Sequence, residues 1–114
     1  MDREIKFRAW NKETKQMISW NSMLELRNLH KLLTLNFVEV MQYTGLKDKK
    51  GKEIYEGDIV QRGVILFDRG KFQGYYTESN GGIAENWEDD LYQERDIEVV
   101  GNMFENPELM RGDG

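Results

Sequence analysis

The chain contains no cysteine. That excludes a disulfide framework, a thiolate zinc site and a cysteine nucleophile, and it suits a reducing compartment. No apolar run reaches the roughly 18 residues that a membrane-spanning helix needs. The opening "MDREIKFRAW" lacks the apolar centre of a secretory signal, so a soluble protein inside the cell is the expectation. There is one histidine, His30. With no second histidine and no cysteine to join it, a metal role for His30 is unsupported. Serines are few (Ser19, Ser22, Ser79) and no G-x-S-x-G elbow occurs, so a serine triad has nothing to stand on.

Positive charge is scarce in the second half of the chain. Residues 1–50 hold ten Lys/Arg against six Asp/Glu, a balance of +4, whereas residues 51–114 hold six against fifteen, a balance of −9. Binding to nucleic acid through counterion release wants clustered Lys/Arg, and the second half offers the reverse. The basic residues of the first half are spread singly along extended segments, where they make a solvated face.

At 114 residues the chain is expected to be one domain, with a subdivision into residues 1–44 and 45–110 as an option. Ile5, Phe7 and Ala9 alternate with Lys6, Arg8 and Trp10, the pattern of a half-buried strand. The turn-rich "NKETK" and the apolar "QMISW" complete a β-hairpin flanked by Trp10 and Trp20. "SMLE" (Ser22–Glu25) fits a capping box, and Leu26, Leu29 and Leu33 follow as an amphipathic stripe, predicting one helix that ends near Leu33. Residues 34–44 alternate as a strand.

Beyond Thr44 strands are punctuated by glycine turns. "DKKG" (Asp48–Gly51) has the spacing of a type I turn whose glycine takes a positive φ. In "EIYEGDIV", Gly57 permits a sharp redirection that Asp58 can secure by accepting nearby backbone N–H groups. "IVQRGVILF" (Ile59–Phe67) reads as one long strand bulged at Gly63. "FQGYYTES", "IAENW" and "IEVVGNMF" supply further strands, and "NPEL" starts a helical turn with Pro107 at its first position. The fold class expected is mainly β (a β-rich α+β chain): an N-terminal β-hairpin, one short helix, and a small barrel-like, SH3-like portion after residue 57.

Two near-motifs fail at named positions. A calcium loop beginning at Asp48 meets Lys49 and Lys50 instead of carboxylates. A phosphate loop from Gly45 to Lys52 has glycines six apart, four charged residues in the gap, and Glu53 in place of the magnesium-binding hydroxyl. No catalytic, metal or cofactor-binding residue is assigned, and the chain is read as a non-enzyme. The candidate partner surface is "NWEDDLY", with Trp87, Glu88, Asp89, Asp90 and Tyr92, because aromatics inside a charged rim mark protein-recognition patches. The other reading of this segment is that Trp87 caps the barrel core and the acids form a solvated loop. In "GYY" (Gly74–Tyr76) one tyrosine of a strand faces in and the other out. Asp48, Gly51, Gly57 and Asp58 are the structural turn residues.

"REIKFRAWNKETKQMI", "MQYTGLKDKKGKEIYEGDIV" and "EVVGNMFENPELM" resemble, in that order, the YopX-like family of small phage and prophage proteins. The middle block is the most specific. The resemblance implies a mostly β fold with a compact barrel-like part after the EGDIV block, and a setting in the bacterial cytoplasm during phage carriage or infection. It carries no activity, cofactor or catalytic residue. The functional expectation is an accessory module that binds a protein partner, host or phage, or assembles with itself. Nucleic-acid binding by the small barrel is the alternative, and it needs Arg3, Lys6, Arg8, Lys12 and Lys15 to converge with an exposed Trp10. An acidic DNA mimic that inhibits a host factor is a third option, resting on charge alone.

Overall fold

The computed structural model describes residues 4–26, 29–88, 90–93 and 96–111. The chain is mostly β, with a curled half-barrel sheet and, among the described residues, two short helices rather than one. It divides into two compact units, Met1–Tyr43 and Thr44–Gly114.

In the first unit, strands β1 (Phe7–Asn11) and β2 (Gln16–Ile18) form the hairpin. Ala9 stands opposite Ile18 and Asn11 opposite Gln16. The turn is fixed locally: Asn11 Oδ1 accepts the N–H groups of Glu13 at 2.9 Å and Thr14 at 3.1 Å. β1 also pairs antiparallel with the first part of β3 (Val38–Lys47), with Phe7 opposite Gln42 and Asn11 opposite Val38. Residues 34–37 are turn rather than strand, yet Leu35 and Phe37 still pack against the buried Ala9, Met23 and Val38.

The helical segment departs from expectation. Helix α1 is Trp20–Leu24, and its N-cap is Ser19, whose side chain accepts the Ser22 N–H. Ser22 is therefore the third helical residue and Glu25 the C-cap, so the Ser22–Glu25 capping box does not form. "SWNS" offers two hydroxyls three apart, and the earlier one caps because Trp20 is then inside the helix. Its ring meets Phe7 edge-on at 5.9 Å, a favourable arrangement of aromatic quadrupoles. Helix α2 (Leu29–Leu33) follows separately. The leucine stripe crosses the break between the helices, which leaves Leu26 and Leu33 exposed.

The second unit begins inside β3, whose end pairs with β4 (Glu53–Tyr55). Next come β5 (Asp58–Val60), β6 (Gly63–Asp68), β7 (Lys71–Thr77), β8 (Ile83–Asn86) and β9 (Val99–Asn102). These five make one antiparallel sheet in the order β8-β7-β6-β5-β9. The long strand expected over Ile59–Phe67 is instead a hairpin, reversing at Gln61–Arg62 so that Val60 faces Gly63. The β6–β7 reversal takes only Arg69 and Gly70, at φ +54° and +84°. Positive φ at both positions is the mirror-image turn that matches strand twist.

Side chains alternate across this sheet. Val60, Ile65 and Phe72 join Ile54, Trp87 and Ile97 in one cluster, while Ile59 and Val64 pack with Met110. Met110 arrives on a 3-10 turn, Pro107–Arg111, that opens with the expected proline. A second 3-10 turn, Leu91–Gln93, lies in the acidic loop.

Candidate functional site

Asp48 organises the loop between β3 and β4. Its N–H donates to the Lys52 carbonyl at 2.7 Å, and the Gly51 N–H returns to the Asp48 carbonyl at 2.9 Å. Gly51 sits at φ +85°. The Asp48 side chain is only 8% exposed. Its Oδ1 accepts the N–H groups of Lys50 (2.9 Å) and Lys52 (2.8 Å), and its Oδ2 accepts the N–H of Val99 on β9 at 2.9 Å. Burial pushes this carboxyl up, but the N–H donors of Val99, Lys52 and Lys50, helped by the Lys52 charge, outweigh it and hold the group below its usual 3.8. Beside the loop lies a cavity of about 210 Å³, walled by Leu46, Lys47, Lys49 and Ile97 among others. Lys49 is already engaged there with Asp96 and Glu98. Both side-chain oxygens of Asp48 accept backbone N–H groups, so the loop ties the β3–β4 turn to β9.

Gly57 and Asp58 make the neighbouring corner. Gly57 has φ +88°, donates to the Ile65 carbonyl at 2.6 Å and accepts from Met103 N–H at 2.9 Å. A side chain there would meet the left-handed backbone penalty. Asp58 is 1% exposed and its Oδ2 accepts the Tyr55 N–H at 2.8 Å. A buried carboxylate holding a turn N–H is a local brace for the chain reversal.

The aromatic–acidic segment is arranged differently from a contact patch led by Trp87. Trp87 is 3% exposed and belongs to the core. The reason is non-local. Its backbone N–H donates to the Gly74 carbonyl at 2.8 Å, and its ring lies over Gly74, where a Cβ would come within 2.2 Å of the indole. Tyr92 is half-buried and donates its hydroxyl to the Thr44 carbonyl at 3.2 Å. Glu88 and Asp90 are exposed, while Asp89 lies outside the described residues.

What reaches solvent above Trp87 is a pair the sequence did not single out together. The Arg62 guanidinium stands 4.4 Å from the Trp87 ring centroid, and it donates to the Tyr76 hydroxyl at 3.3 Å. Tyr76 is 42% exposed. Its partner in "GYY", Tyr75, packs on the opposite sheet face and donates its hydroxyl to Asp68 Oδ2 at 2.6 Å. The available signal was the odd–even alternation through Gly74, which places Tyr76 on the same face as the glycine that receives Trp87.

The basic residues do not converge with an exposed tryptophan. Trp10 is 6% exposed, which withholds it from base stacking. Lys6 stands 5.0 Å from the Tyr43 ring centroid and 3.6 Å from Glu4, and Lys12 pairs with Glu39 at 3.1 Å. Arg3 lies outside the described residues. Among the described residues, no group of three or more His, Asp or Glu could hold a metal ion, and no helix is long and apolar enough to cross a membrane.

Comparison with known proteins agrees with this architecture. The crystal structure of protein EF1440 from Enterococcus faecalis is similar to this chain, at 25% identity and a TM-score of 0.59. The match covers 96% of this chain and 99% of that one. No curated protein matches the sequence. Residues 6–111 match the family described as YopX protein, and with nearly its whole length inside that match, the chain belongs to the YopX family.

Proposed function

We propose that this protein is a non-enzymatic interaction module encoded by a phage or prophage, acting in the bacterial cytoplasm by binding a protein partner. The observation that carries the reading is the layered cluster of exposed Tyr76, Arg62 and buried Trp87. Tyrosine, arginine and tryptophan are the side chains that dominate protein–protein contacts, and they do so where a rigid apolar base lies beneath them. Trp87 supplies that base, so Tyr76 and Arg62 are presented with little rotamer entropy left to lose on binding. Glu88 and Asp90, which follow Trp87 in the chain, are exposed.

The test is affinity capture from a bacterial lysate with the partners identified by mass spectrometry, using wild type and the Tyr76→Ala, Arg62→Ala double variant. A protein species retained by wild type and lost by the variant, with unchanged circular dichroism, supports the reading. An identical set of captured proteins removes this surface from consideration.

A further inference from the structure

Strand β8 is the outer member of the five-stranded sheet, and among the described residues no strand pairs with its far side. We infer that this edge receives a short extended segment of a Lys/Arg-rich protein partner, added as a sixth strand. The inference deepens the protein-partner reading above and rests on it.

The argument is one of charge complementarity along an open edge. Residues 78–90 contain Glu78, Glu85, Glu88, Asp89 and Asp90 and no Lys or Arg. Some acids of the same unit are paired: Lys49 faces Asp96 and Glu98, and Lys50 meets Glu98 at 3.0 Å. Among the described residues Glu85, Glu88 and Asp90 have no such cation. Glu85 is on β8 itself, and Glu88 and Asp90 follow directly at its C-terminal end. There they help wall a cavity of about 140 Å³ together with Phe72, Trp87 and Lys71. Two carboxylates and two aromatic rings describe a seat for a cationic side chain. Lys71 on that wall, and Arg111 near Gly81 at the other end of β8, moderate the field, so the acidic density is greatest from Glu85 to Asp90.

A second copy of this chain is a poorer occupant. Two β8 edges would bring the same unneutralised acids together, and like charges across a strand pair are destabilising. The edge is also short, four residues, and irregular, since the register shifts between Tyr75 and Thr77. Main-chain bonds are therefore few, and charge has to provide much of the selectivity.

The probe is a capped peptide of about eight residues alternating Lys and Val, long enough to span a typical strand. It is titrated into the whole protein while tryptophan fluorescence and the backbone amide signals of β8 are followed. Expected are saturable binding at low salt, shifts confined to β8 and the Glu88–Asp90 end, and a loss of at least about fivefold in affinity for Glu85→Lys with Glu88→Lys. A peptide of the same sequence, N-methylated at alternate residues, should bind at least about fivefold more weakly because it cannot complete the ladder. Absence of binding, equal binding by the methylated peptide, or sedimentation showing a dimer that the charge reversal abolishes would each overturn the inference. If the protein partner is lost with Tyr76→Ala, Arg62→Ala but kept with the charge reversal, the edge proposal fails and the partner reading stands.

Discussion

Replacing Asp48 by alanine removes one carboxylate and strands three backbone N–H groups. Each charge-assisted bond contributes roughly 1.5–3 kcal/mol. The three donors are not equivalent. Lys50 and Lys52 lie in an exposed turn, where water recovers most of the loss, whereas the Val99 N–H is buried where β9 begins. The expected cost is thus about 3–4 kcal/mol, below the simple sum of three bonds. Against the roughly 5–15 kcal/mol of a typical domain, that is a large share. Asp48→Asn keeps an acceptor for the turn but presents an amide donor to Val99, and should cost about 2 kcal/mol. Urea denaturation of the three proteins, followed by tryptophan fluorescence, measures both. The acid limb gives an independent reading. A folded-state pKa held below the unfolded value contributes stability that is present above pH 3.8 and lost as pH falls through the depressed value. Asp48→Asn should therefore flatten the loss of stability below pH 3.8. Midpoints for Asp48→Ala that coincide with wild type, or an unchanged acid limb in Asp48→Asn, would refute the account of Asp48 as a tie between turn and strand.

Gly74→Ala should destabilise by about 2–4 kcal/mol and redshift tryptophan emission, since its Cβ would overlap the Trp87 ring and drive the indole from the core. A native emission maximum would place the ring elsewhere. Gly57→Ala should cost about 1–2 kcal/mol through its positive φ alone, measured by thermal melting. Ser19→Ala should cost about 1 kcal/mol in the same assay, and Ser22→Ala clearly less, because the N-cap is Ser19. Tyr75 is raised above pH 10.0 by its hydrogen bond to Asp68, by burial and by the Asp68 charge. Ultraviolet titration of wild type and Asp68→Asn should differ by one phenol, Tyr75, which ionises at lower pH in the variant. A group raised in this way stabilises the fold below pH 10.0 and ceases to do so as pH rises through its folded-state value.

The turns were legible because their causes are local. Asp48 and Gly51 close their turn within four residues, and Gly57 with Asp58 carries the corner that follows. The helical segment was misread because its leucine spacing is continuous while its backbone is not. Ser19 and Ser22 are both plausible caps by type, and the choice between them depends on seating Trp20 against Phe7. The reversal at Gln61–Arg62 was hidden because apolar residues on both sides of it are buried, which erases the period-two contrast. Trp87 follows the core-capping reading of its segment, with Glu88 and Asp90 in solvent. Its burial requires a glycine on the neighbouring strand, and nothing within "NWEDDLY" announces that vacancy beneath the ring. The same non-local fact moved the candidate surface from Trp87 to Tyr76 and Arg62.

The bond between Asp48 and Val99 spans 51 positions of sequence, and this governs the order of assembly. The β6–β7 and β7–β8 hairpins close short loops and can form early, while the β5–β9 ladder and the Asp48 tie must wait for a distant segment. On a ribosome, the carboxylates of Asp48 and Asp58 and the apolar face around Ile54 are made well before β9 emerges to close over them. For that interval β5 lacks its β9 neighbour, and an open edge is prone to pairing with the wrong strand. Among the described residues, β9 is thus both the last strand of this sheet in sequence and the one that covers β5, and the Asp48 carboxylate acquires its third hydrogen bond only when it arrives.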